Sequence, residues 1–428
     1  MTGMAHDPAL APVALARAAH AASRWVATAS TEKKNAILRD LADRIEADRA
    51  SILGANAQDM AEAKKAGLAP AKLRRLAMTE RSIAALAAGV RTVAALPDPV
   101  GAVTRDDVVP SGLRARKVRC PLGVVMMIYE ARPGVTIDAF SLCFKAGNAC
   151  VLKGGHEAAR SNTALARLAH EALRAHGAGE AETAALSLVT TNDREQIRAL
   201  LGLEGVIDLV IPRGGESLIR FVHEHARVPT VQHFRGVCHI YVHAAADLAM
   251  ALEIIATAKT SAPAACNAVE CALIDEAIAD EFLPRLIARA GADGFEIRGD
   301  ARTLSLAAGA AHVHAADADD WGREYLDLIL AVRVVGGLDA ALEHIARFGS
   351  HHTEAIVTRD ERAAAEFTRR VDASCALVNA STRFNDGFQL GLGAEIGIST
   401  SKIHAYGVMG LEELTTQRWI VTGAGQTR

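Results

Sequence analysis

The chain has 428 residues, room for two or three domains. Its net charge of −3 excludes the basic field that draws in nucleic acid or anionic lipid. Aromatic residues make up only 4%, too few for base-stacking platforms, and no stretch approaches the ~20 consecutive apolar residues of a spanning helix.

The N-terminal apolar run has Asp7 before it and Arg17 closing it early, so a first helix over residues 12–29 is expected rather than a leader. The helical pattern continues to about Ala95, with Leu38, Leu41, Ile45 and Ile52 at helical spacing and Gly67 and Pro70 as punctuation. Pro97, Pro99 and Gly101 end it, and residues 108–118 read as an exposed ribbon turning at Ser111-Gly112.

From Cys120 onward strands and helices alternate. Residues 124–129 form a continuous apolar run, a buried strand, and 136–146 suit a helix stopped by Gly147. Then come a strand at 149–152, the turn Lys153-Gly154-Gly155, a helix at 158–176, a strand at 186–190 and a helix at 196–201. A strand at 206–211 ends at Pro212, and a helix follows at 216–225. This alternation predicts an α/β fold with a doubly wound parallel sheet. A second α/β section follows a boundary set near 235. Its expected parts include strands at 238–242, 272–274 and 328–335 and helices at 248–259 and 279–290.

Two turns carry chemistry. Lys153-Gly154-Gly155 sits between a strand and a helix, where glycine lets a ligand approach the backbone and the helix N-terminus favours an anion. Lys153 there meets a ribose hydroxyl or an adenosine 2′-phosphate, or else the segment is an ordinary tight turn with a solvated lysine. Pro212-Arg213-Gly214-Gly215 repeats the arrangement. Neither turn is a GxGxxG fingerprint, but two of them in one doubly wound domain point to a nucleotide cofactor.

Seven cysteines, Cys120, Cys143, Cys150, Cys238, Cys266, Cys271 and Cys375, are odd in number and free of CxxC pairs. Reduced thiols in a cytoplasmic compartment are therefore expected. Cys266 stands apart. It lies in the small-residue, proline-broken segment Thr260-Ser261-Ala262-Pro263-Ala264-Ala265-Cys266-Asn267, less enclosed than a strand thiol, with Lys259 upstream as a candidate to favour thiolate. Its two readings are catalytic nucleophile and small buried hydrophobe. Cys143, Cys150 and Cys271 read as core. His223-Glu224-His225 is not HExxH and His351-His352 diverge, so no metal is expected.

A resemblance adds to this. The segments Pro121-Leu122-Gly123-Val124, Tyr129-Glu130-Ala131-Arg132-Pro133, Lys145-Ala146-Gly147-Asn148-Ala149 and Ile211-Pro212-Arg213-Gly214-Gly215 carry it. So do Cys238-His239-Ile240-Tyr241-Val242, Cys266-Asn267, Val378-Asn379-Ala380-Ser381-Thr382-Arg383-Phe384 and Gly391-Leu392-Gly393-Ala394-Glu395-Ile396-Gly397. In this order they resemble the gamma-glutamyl phosphate reductase family of the aldehyde dehydrogenase superfamily. The resemblance implies an aldehyde-dehydrogenase-like α/β fold with three parts. An NADP-binding domain takes residues 1–104 and 120–235, a catalytic domain 236–400, and a small oligomerisation element 105–119 with 401–428. It places Cys266 on the family's nucleophile, Lys153 and Gly154-Gly155 near the adenosine ribose, Gly214 and Gly215 near the pyrophosphate, and Glu324 on the nicotinamide ribose.

The implied reaction is NADPH-dependent reduction of L-glutamyl 5-phosphate through a Cys266 thioester, within a homo-oligomer and with a separate glutamate 5-kinase as functional partner. Asn267 is expected to help steady the oxyanion, Asn379 and Arg383 to bind the α-carboxylate region, and Arg132 and Arg213 the phosphate. Arg383 also reads as a structural salt bridge. The chain departs from the family at Ala131, His243, Tyr406 and Val408. No Asp or Glu occurs between His225 and Ala246, where acid-forming aldehyde dehydrogenases keep their general base. Without a base, thioester hydrolysis loses on the order of 10²–10⁴ in rate, which leaves phosphate as the acyl partner. An acid-forming aldehyde dehydrogenase and a catalytically silent binding protein are the rival readings.

Overall fold

The computed structural model describes residues 11–231 and 235–428, so Ala9 and Leu10 of the first apolar run lie outside the described residues. The chain forms two compact units. One is Met1–Gln232 with Leu392–Gly397 and Met409–Arg428; the other is His233–Gly391 with Ile398–Val408. The chain thus passes between units near 233, 392, 398 and 409, where the sequence suggests single boundaries near 235 and 400.

The first unit opens with five helices, Ala11–Thr28, Thr31–Ala47, Arg49–Lys65, Pro70–Leu76 and Glu80–Ala95. Ser30 caps the second, and Thr79 with Ser82 forms a capping box on the fifth. Behind them lies a four-stranded parallel sheet in the order Leu186–Leu188, Ala149–Lys153, Val124–Tyr129, Leu209–Arg213. Val124, Met126 and Ile128 face a core shared with Ala16, Ala19 and Val222, the two-residue period of a strand buried on both faces. The last strand starts at Leu209, not 206, because Val206 and Ile207 donate to the Leu203 carbonyl in a turn. It also runs through Pro212 to Arg213; at the sheet's edge a missing N–H is tolerated.

The exposed ribbon is longer than the sequence suggests. Val103–Val108 and Arg114–Pro121 pair antiparallel, and Thr415–Thr422 adds a third strand against Arg114–Pro121.

The second unit is built on a seven-stranded parallel sheet. Its order is Val313–Ala315, Glu296–Gly299, Ile329–Val335, Val269–Asp275, Cys238–Val242, Thr353–Val357, Cys375–Val378. Ile240, Val242, Ala272 and Ile274 pack with Ile255, Phe282 and Leu286 on one face. Tyr241, Cys271 and Leu273 pack with Leu342, Ile345 and Phe367 on the other. No helix among the described residues is long and apolar enough to cross a membrane.

Candidate active site

In the first unit the predicted cofactor residues gather at the carboxyl edge of the four-stranded sheet. The chain moves from Val124–Tyr129 outward to two strands on one side, then returns to place Leu209–Arg213 on the other. That reversal is the topological switch point, where doubly wound sheets bind ligands. Gly214 and Gly215 follow the strand on one side of it, Glu130-Ala131-Arg132 the strand on the other, and Lys153-Gly154-Gly155 the next strand over.

Gly215 is the N-cap of the helix Glu216–His225, without a side-chain cap, and a Cβ there would meet open space. Apart from that of Leu218, given to the Gly215 carbonyl at 3.0 Å, the first-turn N–H groups are thus left for an anion. A Cβ on Gly214 would lie 2.7 Å from Leu218 Cδ2, and one on Gly154 would lie 2.1 Å from Asn162 Nδ2. Lys153 is buried, not solvated: its ammonium donates to the Gly154 carbonyl and to Asn192 Oδ1 at 3.2 Å. Burial lowers its pKa, so a counter-charge would be welcome there. Open main-chain donors, glycines at close quarters and a buried cation fit a phosphate-bearing dinucleotide. Arg213, half-buried at its strand's end, runs along Gly397 with Nη1 3.9 Å from where a Cβ would stand. Arg132 is half-buried in the turn after Ala131, whose φ of 43° is held by its N–H donating to Glu157 Oε1 at 2.6 Å.

In the second unit Cys266 lies at the amino edge of the seven-stranded sheet, just before Val269–Asp275. It is half-buried, unlike Cys143, Cys150 and Cys271, which are core residues. Its main chain is buttressed from behind. A Cβ on Gly236 would stand 2.1 Å from the Cys266 carbonyl oxygen and 2.9 Å from its Cα, so only glycine lets the two backbones pass. Glu324 Oε1 accepts the Gly236 N–H at 2.9 Å, and the Cys238 thiol donates to the Cys266 carbonyl at 3.3 Å. Burial raises the Cys238 pKa well above the usual thiol value, so it stays protonated.

Asn267 is placed otherwise than expected. Its Nδ2 donates to the main-chain oxygens of Asn385 at 3.0 Å and Arg383 at 3.4 Å. Both carboxamide hydrogens are therefore engaged in holding residues 383–385 beside Cys266, not aimed at an oxyanion. Arg383 is half-buried, and its guanidinium has no carboxylate partner among the described residues, against the salt-bridge reading. Asn379 is not brought to the thiol. It follows Cys375–Val378 at the opposite, carboxyl edge, and its amide is engaged by Thr358, accepting from N–H at 2.8 Å and donating to C=O at 2.9 Å. Lys259 is engaged elsewhere: its ammonium meets Glu270 Oε2 at 2.7 Å and the Asp327 carbonyl at 3.1 Å.

The sequence reading named Glu324 but gave no role to Gly236, Cys238, Glu270 or Glu354. Glu270 is buried, and burial, only partly offset by Lys259, pushes its pKa up to about 7. Glu354 Oε2 accepts from both the main-chain N–H and the Nδ1 of buried His239 at 2.9 Å. Burial opposes a charge on His239, yet the Glu354 carboxylate hydrogen-bonded to it, with the nearby Cys271 sulfur, outweighs this and raises it to about 10. A glycine two residues before a buried strand was the one local signal available. His239, Cys271 and His344 also sit close enough to suggest metal ligands. Arg333 donates to His344 Nδ1 at 2.9 Å, however, which makes Nε2 the N–H that faces Cys271 at 3.7 Å. Cys271 and His344 are thus tied by a hydrogen bond, while His239 is held from its other side by Glu354. At the family departures, Tyr406 donates to Asp372 at 3.2 Å and His243 pairs with Thr358 at 2.8 Å.

The aldehyde dehydrogenase family model matches residues 4–305. The chain is 51% identical over 420 residues to gamma-glutamyl phosphate reductase of Sorangium cellulosum, covering 97% of each chain. It is 51% identical to that of Salinibacter ruber, covering 98% of this chain and 95% of the relative. The crystal structure of gamma-glutamyl phosphate reductase from Thermotoga maritima superposes with a TM-score of 0.94 at 39% identity, over 97% of this chain and 99% of that one.

Proposed function

Because the chain belongs to the gamma-glutamyl phosphate reductase family of aldehyde dehydrogenases, we propose that it reduces L-glutamyl 5-phosphate to L-glutamate 5-semialdehyde and phosphate, with Cys266 as nucleophile and NADPH as hydride source. The observation that carries this reading is Cys266 itself, a half-buried thiol whose main chain is clamped while its side chain stays on a small-residue loop. Its thiolate attacks the acyl carbon, phosphate leaves, and a thioester forms on the protein. NADPH, when bound, supplies the hydride that reduces this thioester. Collapse of the Cys266 thiohemiacetal then releases the semialdehyde and restores the thiol.

The other residues bind and orient. Arg383, held by Asn267 and lacking a carboxylate partner among the described residues, is assigned to the α-carboxylate, and Arg132 and Arg213 to the phosphate. Lys153, Gly154, Gly155, Gly214 and Gly215 are assigned to the dinucleotide and Glu324 to the nicotinamide ribose. Lys153 gives the preference for NADP(H) through the 2′-phosphate. Seven cysteines, all in the thiol form, support a cytoplasmic setting. Exposed Val108, Trp419 and Val421 on the three-stranded sheet support its assignment to contacts between copies. A separate glutamate 5-kinase supplies the acyl phosphate.

The test runs the reaction backwards, following NADP⁺ reduction by glutamate 5-semialdehyde with and without inorganic phosphate. Phosphate-dependent reduction is expected. One observation favours the acid-forming rival: Glu270, with a pKa of about 7, has the proton affinity of a general base. Its oxygens are taken by Lys259 and the Leu326 N–H, and reduction independent of phosphate would be needed to give it that role.

A further inference from the structure

A nucleophilic thiolate that is open to solvent is also the cysteine most exposed to oxidation, and the structure sets a second thiol against it. Cys238 Sγ lies 3.3 Å from the Cys266 carbonyl oxygen. The approach is possible because Gly236, two residues earlier, has no side chain to hold the backbones apart; a Cβ there would overlap the Cys266 main chain. A disulfide needs its two cysteines side by side, with Cα atoms roughly 4.4–6.8 Å apart, and the contact of the Cys238 sulfur with the Cys266 carbonyl makes the two residues neighbours. His352 Nδ1 is 3.6 Å from Cys238 Sγ and 2.6 Å from Thr353 Oγ1, a polar path for a proton leaving the thiol. Cys238 is wholly buried and Cys266 half-buried, so an oxidant in solution meets Cys266 first.

We propose that Cys238 is a resolving cysteine that captures oxidised Cys266 as a Cys238–Cys266 disulfide. Hydrogen peroxide is the oxidant. Its O–O bond breaks as the Cys266 thiolate takes one oxygen, giving a sulfenic acid and, with a proton, water. The Cys238 sulfur then attacks the Cys266 sulfur; the S–S bond forms, the S–O bond breaks, and the hydroxyl leaves as water with the Cys238 proton. The enzyme stops turning over but is shielded from sulfinic acid, and a thiol reductant restores it. The protonated state of buried Cys238 keeps it from competing as a nucleophile during ordinary turnover.

The test treats the full-length protein with hydrogen peroxide and reads it by peptide mass, which does not depend on the reaction proposed above. Tryptic peptides 236–259 and 260–285 are expected to appear joined with the loss of two hydrogens, with fragmentation placing the link on Cys266 and not on Cys271. Dithiothreitol should separate them and return activity. In Cys238→Ser the joined species should vanish, Cys266 should gain two oxygens, and activity should stay lost after reduction. Unlinked peptides in the wild type, or a link to Cys271, would overturn the proposal even if the variant does not fold. So would full recovery of Cys238→Ser after reduction.

Discussion

The two sheets are used at opposite ends. The four-stranded sheet presents its carboxyl edge at the switch point, where glycine turns and an uncapped helix start leave main-chain donors open. The seven-stranded sheet has a switch of its own between Cys238–Val242 and Thr353–Val357, but Cys266, the proposed nucleophile, sits at the amino edge instead. There the backbone is not open but clamped, by Gly236, Glu324 and Cys238, above the buried pairs Lys259–Glu270 and His239–Glu354. A binding edge needs access, whereas a nucleophile needs a fixed position, because a misplacement of about 1 Å costs ~10²-fold in rate.

The contrast between the edges faces its hardest trial at the thiol. Cys266→Ser should lower turnover on the order of 10⁴–10⁶-fold while the unfolding midpoint holds, measured by single-turnover kinetics alongside thermal denaturation. Next comes the support below it. Lys259→Met leaves Glu270 buried without a counter-ion and should cost about 3–5 kcal/mol of stability, while Lys259→Met with Glu270→Leu recovers most of it. Denaturant unfolding checks both.

Two glycine substitutions set the edges directly against each other. Gly236→Ala, forced onto the Cys266 main chain, should cut kcat by about 10²-fold at nearly unchanged KM for NADPH. Gly215→Ala meets nothing within 4 Å in the protein, so kcat should hold while the KM for NADPH rises about tenfold, as expected if a phosphate approaches that backbone closely. Equal effects from the two would erase the distinction.

The smallest effect is in pH. His239, whose ordinary value is 6.5, is raised to about 10 in the folded protein, so its contribution is complete below 6.5 and fades as pH climbs toward 10. The unfolding midpoint should fall by a few degrees over that window, and His239→Gln should flatten this part of the curve.

Much of the carboxyl-edge site was legible because its signals are local. A lysine or arginine ending a strand, two glycines, then a helix can be read at Lys153 and Arg213 without knowing what lies opposite. Cys266 was also legible, as a thiol outside any apolar strand. What was not legible came from contacts far apart in sequence. Nothing near Gly236 indicates that Cys266 will lie on it, and nothing near Lys259 says that its ammonium turns to Glu270. The absence of an acid between His225 and Ala246 is real, yet it did not mean an absence of carboxylates, since Glu270, Glu324 and Glu354 arrive from three other segments. Asn379 erred the other way: it shares a motif with Arg383, but the strand that ends before it carries it to the far edge.

Periodicity and backbone freedom act over a few residues, so the order of amino acids was enough to set the alternation of strand and helix, the turns at the carboxyl edge and the candidate nucleophile. The groups that flank that nucleophile, and the charges that are buried in pairs, were chosen by long-range packing instead. Parallel strands align all their amino ends along one edge, so Cys238 and His352, 114 positions apart, become neighbours there through the sheet's register alone.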